Sequence, residues 1–524
     1  MSFVPNRQIP VLETKGGPMS GDRFDYLVVG GGSAGAVLTA RLSENPAARV
    51  LLLEAGAPYT RAEYPDVLLN PDRIGGDEDH DWIFQATAGR TGPLDREMGA
   101  PRGRVLGGTS AINAAVALRA LPSDFADWTT HGLSGWSWEE VLEAHRVLEN
   151  TESGEDRFHG RSGPLPIHQR TYDELTPSVQ AFIHAAERQG YRRIEDPNAD
   201  QRRGVAPVPL SIGSGIRQNT AIAYLTEDVR RRPNLTIQGW TEVDEVVIGN
   251  GRATGVRTVD GSLFETGEVI LSAGSIGSAA ILLRSGIGPA RDLTELSIEV
   301  VADLPVGRRL HDQPVYHGVQ ALKAEAGAKS PAAGAFLRTA SSQARGDELD
   351  LLISAAHLNA PDSSPTGGAI VLAVSVVRPE SRGTLRLRSA NPKDQPLIEL
   401  NLLATPRDRS RMLEGMRLSR SIGRSEEFGA VVDHELLPGA HVENDADLLR
   451  DIDEHVTSFQ HATSTAPMGG DRDEWAVVDG AGAVRGIRNL RVIDASILPE
   501  VPSVPTNLTV IMVAEHIYRR ALVG

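Results

Sequence analysis

The chain has 524 residues, a net charge of −16 and no cysteine. Hydrophobic residues make up 40% and charged residues 23%, which is the composition of an ordinary globular protein of one to three domains. The acidic balance argues against nucleic acid and anionic membranes as partners, because phosphate binding needs clustered Lys and Arg. The lack of cysteine excludes disulfides, thiolate metal sites and cysteine nucleophiles, and no metal site is expected.

No run of 18 apolar residues occurs, so a transmembrane span is not expected. Residues 1–22 contain no apolar core of signal-peptide length. Pro5, Pro10 and the cluster at residues 16–18 predict an irregular leader before the first strand. The predicted location is cytoplasmic.

Residues 24–56 have the pattern of one complete β-α-β unit. Residues 26–29 and 50–53 are short apolar runs, as buried parallel strands would be, and apolar residues at helical spacing lie between them. A glycine motif follows the first run at once: Gly30-x-Gly32-x-x-Gly35. Such glycines allow a tight turn, close approach to a pyrophosphate, and packing of helix on strand.

Glu54 ends the second apolar run, 22 residues beyond Gly32. This spacing is near that expected for an acid that accepts hydrogen bonds from ribose hydroxyls. The start of the intervening helix presents N–H groups and a positive dipole end to phosphate. The unit therefore predicts a dinucleotide site, and by itself it fits NAD and FAD equally.

Two contrasting stretches come next. Residues 57–100 are rich in Asp, Gly, Pro and Arg without a sustained period, and we interpret them as long surface connections. In residues 101–113, small and hydroxyl side chains would let the backbone lie against a flat or phosphorylated ligand, with Ser110 or Asn113 as donors. A plain flexible glycine loop is the alternative.

Helices are predicted from residue 123 and again from Ser137, which forms a capping box with Glu140. Aromatic residues mostly supply buried area, so three tryptophans are predicted in the core: Trp128, Trp136 and Trp138. Further helical patterns occupy residues 175–190, 219–231, 278–285, 407–427, 443–454 and 506–522.

Strand patterns alternate with these helices. Runs at residues 235–238, 243–248 and 253–259 predict a small antiparallel sheet with a hairpin turn at residues 250–251. Single strands are predicted at residues 268–274 and 490–494. Alternating runs at residues 350–354, 369–377 and 383–388 predict an antiparallel sheet with one covered face.

Seven motifs, in order from Phe24 to about Leu522, resemble the glucose–methanol–choline (GMC) family of flavoprotein oxidoreductases. They are GGGSAG with Glu54, RGRVLGGTSAIN, PSDFADW, HGRSGPLPI, GSIGSAAILLRSGIGP, LPVGRRLHDQP and RNLRVIDASILPEVPSVPTNLTVIMVAEHI. The chain is similar to the compact bacterial members, which include hydroxymethylfurfural oxidase, aryl-alcohol oxidase and choline dehydrogenase.

The resemblance implies an α/β (α+β) fold with two domains. A Rossmann-like FAD-binding domain would comprise residues 21–158, 215–310 and 460–524. The substrate-binding domain would comprise residues 159–214 and 311–459, with an antiparallel sheet covered by helices.

The resemblance also implies FAD as the cofactor and a set of contacts to it. The glycines would face the pyrophosphate, Glu54 the adenosine ribose and Val243 the adenine. Asp494 and Ala495 would close over the pyrophosphate and ribitol. The full predicted set is Gly30, Gly32, Ser33, Ala34, Gly35, Glu54, Ala55, Arg104, Gly108, Ser110, Asn113, Ala114, Val243, Ala273, Asp494, Ala495, Thr506, Asn507 and Leu508.

The catalytic pair implied by the resemblance is His461 and Asn507. An alcohol releases hydride poorly while its oxygen keeps its proton, and a neutral imidazole can take that proton. Asn507 can hold the alcohol oxygen but cannot act as a base at neutral pH. Other histidines are expected to be structural: His311, His357 and His455.

The implied function is oxidation of a small-molecule primary alcohol, with aryl and furan alcohols as candidates, and O2 or another compound as electron acceptor. The motifs fit an oxidase and a dehydrogenase equally. The alternative is a carbon–carbon lyase similar to the hydroxynitrile lyases, with a redox-idle flavin.

Departures from the family pattern bear on substrate choice. Gln460 replaces a common aromatic residue, Ser464 a usual glycine, and Ala279 a usual proline. Residues 371–377 are small and aliphatic where relatives with aromatic substrates carry bulky side chains. Choline is not the first choice, because the sequence indicates no carboxylate–aromatic cage for a quaternary ammonium group.

Overall fold

The structure is a computed structural model that describes residues 23–200, 202–326, 330–358 and 364–523. The predicted leader at residues 1–22 lies outside these ranges. Within them, no helix combines the length and the apolar character that crossing a bilayer requires. Strands and helices are numbered below in chain order.

The first sheet is built around the predicted β-α-β unit. Its strands are β1 (Phe24–Val29), β2 (Val50–Leu53), β10 (Leu235–Gln238), β11 (Val243–Gly249), β12 (Arg252–Thr258), β13 (Leu263–Leu271) and β22 (Leu490–Val492). Strands β10, β2, β1, β13 and β22 are parallel neighbours in that order, and β12 and β11 extend the sheet in antiparallel fashion. The mixed α/β fold class predicted from the sequence is confirmed.

The predicted sheet partners of residues 235–238 were wrong. Residues 235–238 pair in parallel with β2, with Leu235 opposite Val50, and do not belong to the antiparallel group. A four-residue strand pattern carries no information about its partner, which is set by how the chain returns to the sheet. The hairpin prediction is confirmed, since Asn250 and Gly251 both have positive φ, 52° and 67°.

The second sheet is antiparallel and has the order β20-β14-β17-β16-β15-β7, with β21 beside β14. Its strands are β7 (Gly204–Pro207), β14 (Pro314–Leu322), β15 (Ala333–Thr339), β16 (Leu351–Ala356), β17 (Ala369–Val376), β20 (Val432–Leu437) and β21 (Thr457–Ser458). Every residue of the central strand β17 is buried, so the middle of this sheet is covered on both faces, whereas one covered face was predicted. Helix α10 (Pro406–Gly423) packs on one face of β17, and the other face borders the cavity between the two sheets. A strand with both faces enclosed is apolar on both sides.

A smaller sheet joins two distant parts of the chain, in the order β18 (Thr384–Arg386), β19 (Leu397–Glu399), β3 (Phe84–Thr87) and β4 (Glu97–Ala100). Residues 57–100 are therefore more than surface connections, and Leu68, Ala86 and Ala88 within them are buried. The strand predicted at residues 383–388 also lies here and not in the second sheet. Two strand pairs complete the set: β5 (Glu149–Asn150) with β6 (Leu165–Pro166), and β8 (Ile212–Gly213) with β9 (Ile216–Arg217).

The α-helices pack on these sheets. They are α1 (Gly35–Leu42), α2 (Asp66–Leu69), α3 (Pro122–Thr130), α4 (Trp138–Leu148), α5 (Pro177–Arg188), α6 (Thr220–Tyr224), α7 (Glu227–Arg230), α8 (Gly274–Arg284), α9 (Ala290–Glu295), α10 (Pro406–Gly423), α11 (Glu426–Gly429), α12 (Asp445–His455) and α13 (Asn507–Ile517). The Ser137–Glu140 capping box of α4 is confirmed, and so is the burial of Trp128 and Trp136.

Two contacts hold α1 and α13 side by side, although 474 residues separate the partners. At one end, the buried Glu515 carboxylate accepts from Arg41 Nη2 at 2.8 Å and from Tyr224 Oη at 2.9 Å. At the other end, Ser33 Oγ donates to Asn507 Oδ1 at 2.7 Å. The start of α13 is therefore placed next to the glycine turn that precedes α1.

We predict that Gly35→Ala disrupts this arrangement. A Cβ at residue 35 would lie 1.9 Å from Gly30 O, so the turn between β1 and α1 must open. We expect a loss of at least ~2 kcal/mol in unfolding free energy, measured by denaturant titration, together with loss of bound cofactor.

Gly249→Ala is the matched control, because a Cβ there meets nothing within 4 Å. It should shift the unfolding free energy by about 0.5 kcal/mol or less. Equal stability of the two variants would contradict the proposed close packing at residue 35.

Candidate active site

A large cavity of about 1310 Å³ lies between the first and second sheets. Its walls come from the turn after β1, the end of β2, the loop at residues 101–114, the second sheet and the start of α13. All but three of the predicted site residues line it, His461 and Asn507 among them. The structure thus brings together residues from both ends of the chain.

Three predicted cofactor residues do not line the cavity: Gly35, Ser110 and Leu508. Gly35 packs against the preceding turn, and Leu508 is 1% exposed in the core. The Ser110 hydroxyl donates to Gly107 O at 2.5 Å and accepts from Thr220 N at 3.0 Å. Ser110 therefore stabilises the loop from the side that faces away from the cavity. The sequence alone does not show on which side of the loop its side chain lies.

The glycine turn and the loop at residues 101–114 meet backbone to backbone. A Cβ on Gly108, whose φ is +52°, would lie 2.7 Å from Gly32 Cα. Gly32 itself meets only Gly108 in this way, at 3.6 Å, and otherwise faces the cavity. This narrow cradle lets a pyrophosphate approach main-chain atoms that side chains would otherwise cover.

Glu54 stands at the cavity end of β2 with 5% exposure. Its Oε2 accepts from Gly31 N and its Oε1 from Gly56 N, both at 2.8 Å. Burial raises the pKa of the carboxyl, and these N–H groups oppose that rise. Glu54 therefore organises the turn, and each oxygen keeps a lone pair that a ribose hydroxyl could donate to.

Asp494 performs a similar task just after β22, in the same sheet. Its Oδ2 accepts from Gly274 N at 2.9 Å and from Ser278 Oγ at 2.5 Å, which caps the start of α8. Its Oδ1 accepts from Ser496 N and Ser496 Oγ. Burial raises the pKa of Asp494, and these four donors oppose the rise.

The His461 imidazole faces the cavity in one defined tautomer. Its Nδ1 lies 2.7 Å from Gln313 Oε1. The Gln313 amide cannot flip, because its Nε2 already donates to Val377 O and Pro502 O at 2.9 and 2.7 Å. The amide oxygen can only accept, so Nδ1 carries the proton and Nε2 keeps a lone pair.

Burial and, to a smaller extent, the nearby Arg102 guanidinium together lower the pKa of His461 to about 3. The ring is therefore neutral at physiological pH. Phe459 packs against it with ring centroids 4.6 Å apart, and the His461 backbone N–H donates to Asp312 Oδ1 at 2.9 Å. Backbone and side chain are thus both held in place.

Asn507 is the first residue of α13 and also lines the cavity. Because its Oδ1 accepts from Ser33, its two amide hydrogens on Nδ2 remain as donors. Asn113 lines the cavity as well, and its Oδ1 accepts from Ala115 N at 2.9 Å. Both amides therefore have assigned orientations.

Sequence reasoning gave no role to Gln313, Arg102 or His317, all of which matter to the cavity. Gln313 lies in the run LHDQP, which served only as a family marker. Arg102 precedes the glycine loop, lines the cavity, and donates to Gln460 Oε1 at 3.0 Å. Arg102 and Gln313 are polar residues inside quoted motifs, and His317 lies three residues beyond the end of one.

The family departures fall in different places. Gln460 lines the cavity, whereas Ser464 is buried outside it with φ +64°, a backbone region that favours glycine. Among residues 371–377 only Ala373 lines the cavity. Of the histidines expected to be structural, His357 also lines it, with Nε2 3.0 Å from Thr176 Oγ1.

A parallel nucleotide-binding sheet, an antiparallel sheet and a shared cavity lined by a half-buried neutral imidazole define a dinucleotide-dependent oxidoreductase. Two family models described as GMC oxidoreductase match residues 24–315 and 379–514. The chain belongs to the GMC oxidoreductase family, as its motifs predicted.

Its relatives cover nearly the whole chain. It is 34% identical to the oxygen-dependent choline dehydrogenase of Vibrio vulnificus, over 94% of this chain and 93% of the relative. It is 36% identical to the 5-(hydroxymethyl)furfural oxidase of a Methylovorus species, over 94% and 98%. The crystal structure of pyridoxine 4-oxidase from Mesorbium loti superposes with a TM-score of 0.88 at 32% identity, covering 96% of this chain and 100% of that one.

The protein is therefore an FAD-dependent oxidoreductase that acts on the CH–OH group of alcohols, and FAD is its cofactor. The cavity fits this cofactor. The backbone cradle at Gly32 and Gly108 suits a pyrophosphate, and the cavity continues from there to His461.

We predict that Asp494→Asn weakens both folding and FAD retention. In either orientation, an Asn places an NH2 group against one pair of donors, so two hydrogen bonds are lost. The expected cost is about 2–4 kcal/mol in unfolding free energy, with a lower flavin-to-protein absorbance ratio after gel filtration.

Asp347→Asn, on an exposed residue, is the control and should leave both quantities unchanged. Full flavin content and stability in Asp494→Asn would refute this account of Asp494.

Proposed function

We propose that this enzyme oxidises a primary alcohol of the aryl or furan type to the aldehyde, with His461 as the base. One observation carries the proposal: a half-buried, neutral imidazole presents a bare Nε2 to the cavity, because the Nδ1 proton is donated to Gln313. A base in this state needs no prior deprotonation to accept a proton.

The chemistry divides between protein and cofactor. The alcohol O–H donates to His461 Nε2, and the proton moves there as the carbon-bound hydrogen leaves with its electron pair. When bound, FAD supplies the two-electron acceptor, and O2 or another compound reoxidises it. His461 then carries the positive charge, which the Gln313 oxygen stabilises through the Nδ1–H bond.

Asn507 is proposed to orient the substrate oxygen. Its Nδ2 hydrogens are available because Ser33 holds its carbonyl oxygen. Asn507 also starts α13, an 11-residue helix whose positive dipole end faces the cavity. That end would favour negative charge at the alcohol oxygen and at the neighbouring cofactor ring.

The proposed cofactor contacts follow the cavity from end to end. Gly30, Gly32 and Gly108 would contact the pyrophosphate, and Glu54 the adenosine ribose. The other proposed contacts, all on the cavity wall, are Ser33, Ala34, Ala55, Arg104, Asn113, Ala114, Val243, Ala273, Asp494, Ala495 and Thr506. Sheet membership supports the proposed two-domain partition, because the first sheet draws its strands from the FAD segments and the second from the substrate segments.

The choice of substrate rests on the relatives and on the wall beside His461. The named relatives include oxidases of 5-(hydroxymethyl)furfural and of pyridoxine, which are ring-bearing primary alcohols. The sheet residues of the wall include Phe336, Leu352 and Ala373, an apolar surface that suits a ring. No observation favours the lyase alternative.

We predict that His461→Ala lowers the rate of alcohol oxidation by about 10²–10⁴-fold while FAD stays bound, because the proton acceptor is lost. The measurement is anaerobic bleaching of the flavin absorption band by 4-methoxybenzyl alcohol in a stopped-flow instrument.

His434→Ala removes an exposed histidine and is the control, with an expected rate equal to that of the wild type. A near-normal rate in His461→Ala would exclude His461 as the base. A wild type whose flavin is never bleached by any alcohol would exclude oxidation.

We predict that kcat/KM for the alcohol stays constant from about pH 8 down to pH 5, because the pKa of His461 lies at about 3 and the base stays neutral. In Gln313→Glu, a carboxylate beside Nδ1 favours the protonated ring, so the pKa rises. The base is then lost as the pH falls through this higher value, and kcat/KM should decline from a higher pH than in the wild type.

Gln343→Glu adds the same charge at an exposed position and should keep the wild-type profile. Identical pH profiles for the wild type and Gln313→Glu would show that Gln313 does not control the protonation of His461.

A further inference from the structure

Four neighbouring strands of the second sheet contribute one residue each to a straight row across the cavity wall. His317 on β14 pairs with Ala373 on β17, Ala373 with Ser354 on β16, and Ser354 with Phe336 on β15. All four residues line the cavity. Residues directly opposite each other share one face of a sheet, so these side chains form a continuous surface, which we call the wall row.

The wall row has two polar members without partners inside the protein. Neither the His317 imidazole nor the Ser354 hydroxyl makes a hydrogen bond or ion pair with any residue that the structure describes. Both side chains are half-buried, so water and ligand compete for them in a confined space. Replacing the water on such a group costs little binding free energy when the ligand makes the same hydrogen bonds. It costs more when the ligand places an apolar group there.

The wall row lies at a defined place relative to the base. Gln313, which holds His461, directly precedes β14, and His317 follows four residues later on that strand. Four extended residues span about 14 Å. Phe459, whose ring packs on His461, also packs against the apolar cluster that contains Ala373, so the wall row lies on the same side of the cavity as His461. Ala373 lies between His317 and Ser354 in the row. Its side chain is a single methyl group, so the surface between the two polar residues stays open.

The wall row is also electrically neutral. It contains no carboxylate, and burial lowers the pKa of His317 without a contribution from any charged neighbour. Neutral imidazole and hydroxyl groups both donate and accept, which suits a hydroxyl, a carbonyl or a ring nitrogen. A quaternary ammonium group, which offers no hydrogen bond, would gain nothing here.

We propose that the wall row is a binding subsite for the far end of the substrate, and that His317 selects alcohols whose ring carries a second, neutral hydrogen-bonding group. This subsite rests on the proposed alcohol oxidation at His461. It makes His317 a specificity-determining residue, with Ser354 as its secondary partner and Phe336 as the edge against which the ring packs.

The test compares two alcohols of nearly equal size in the FAD-loaded enzyme. One is 2,5-bis(hydroxymethyl)furan, and the other is 5-methylfurfuryl alcohol, which lacks the distal hydroxyl. The preference is the ratio of their kcat/KM values. The two alcohols differ in intrinsic reactivity, and the diol has two equivalent reactive ends. Both factors are the same in every variant, so they cancel when the ratio is compared between variants.

In His317→Leu we expect the preference for the diol to fall about five- to tenfold, with kcat/KM for the methyl compound unchanged or higher. Ser354→Ala should reduce the preference by a smaller factor. His317→Phe is measured in parallel. If one of the two apolar variants fails to fold or to retain flavin, the other decides whether His317 sets the preference.

His434→Leu is the matched control, because it makes the same substitution at an exposed histidine on β20 of the same sheet, and its preference should equal that of the wild type. An undiminished preference in the folded His317 variants would overturn the subsite. Failure of the proposed function is distinct: in that case the wild type, with flavin bound, would oxidise neither alcohol.

Discussion

The hydrogen bond between His461 Nδ1 and Gln313 Oε1 is the interaction on which the proposed chemistry of this cavity depends. This hydrogen bond fixes the tautomer of His461 because the Gln313 amide has one orientation. The Gln313 nitrogen donates to two backbone carbonyls, so only its oxygen can face the ring. A neutral partner orients the ring without supplying charge, so burial keeps the imidazole neutral. A carboxylate in the same place would orient the ring equally well but would favour its protonated form.

Hydrogen bonds within the protein orient other polar groups around the cavity in the same way. Glu54 and Asp494 are buried acids whose oxygens accept mainly from backbone N–H groups, and each thereby shapes a turn that faces the ligand. Ser33 turns the Asn507 amide so that its donors point away from Ser33. Buried polar groups are expensive unless they are paired, and here the pairing also sets the direction in which the remaining atoms point. Contacts within the protein therefore set the geometry of the site.

Much of this could be predicted from local pattern. The β-α-β unit, the capping box of α4 and the hairpin at Asn250-Gly251 are each written within a few consecutive residues, because their physical causes are local. The assignment of Leu235–Gln238 and of residues 57–100 failed for the opposite reason. A short strand carries no mark of its partner, and the partners here lie far away in the chain.

The sequence by itself determined the family, the cofactor, and the imidazole and amide that were expected at the reaction centre. Tertiary structure alone decided which atoms of those groups face the cavity. The side of a loop on which Ser110 lies, the tautomer of His461 and the alignment of His317 with Ala373 and Ser354 all depend on contacts between segments distant in sequence. Strand register and hydrogen-bond direction are properties of pairs of segments, and no single stretch of residues contains them.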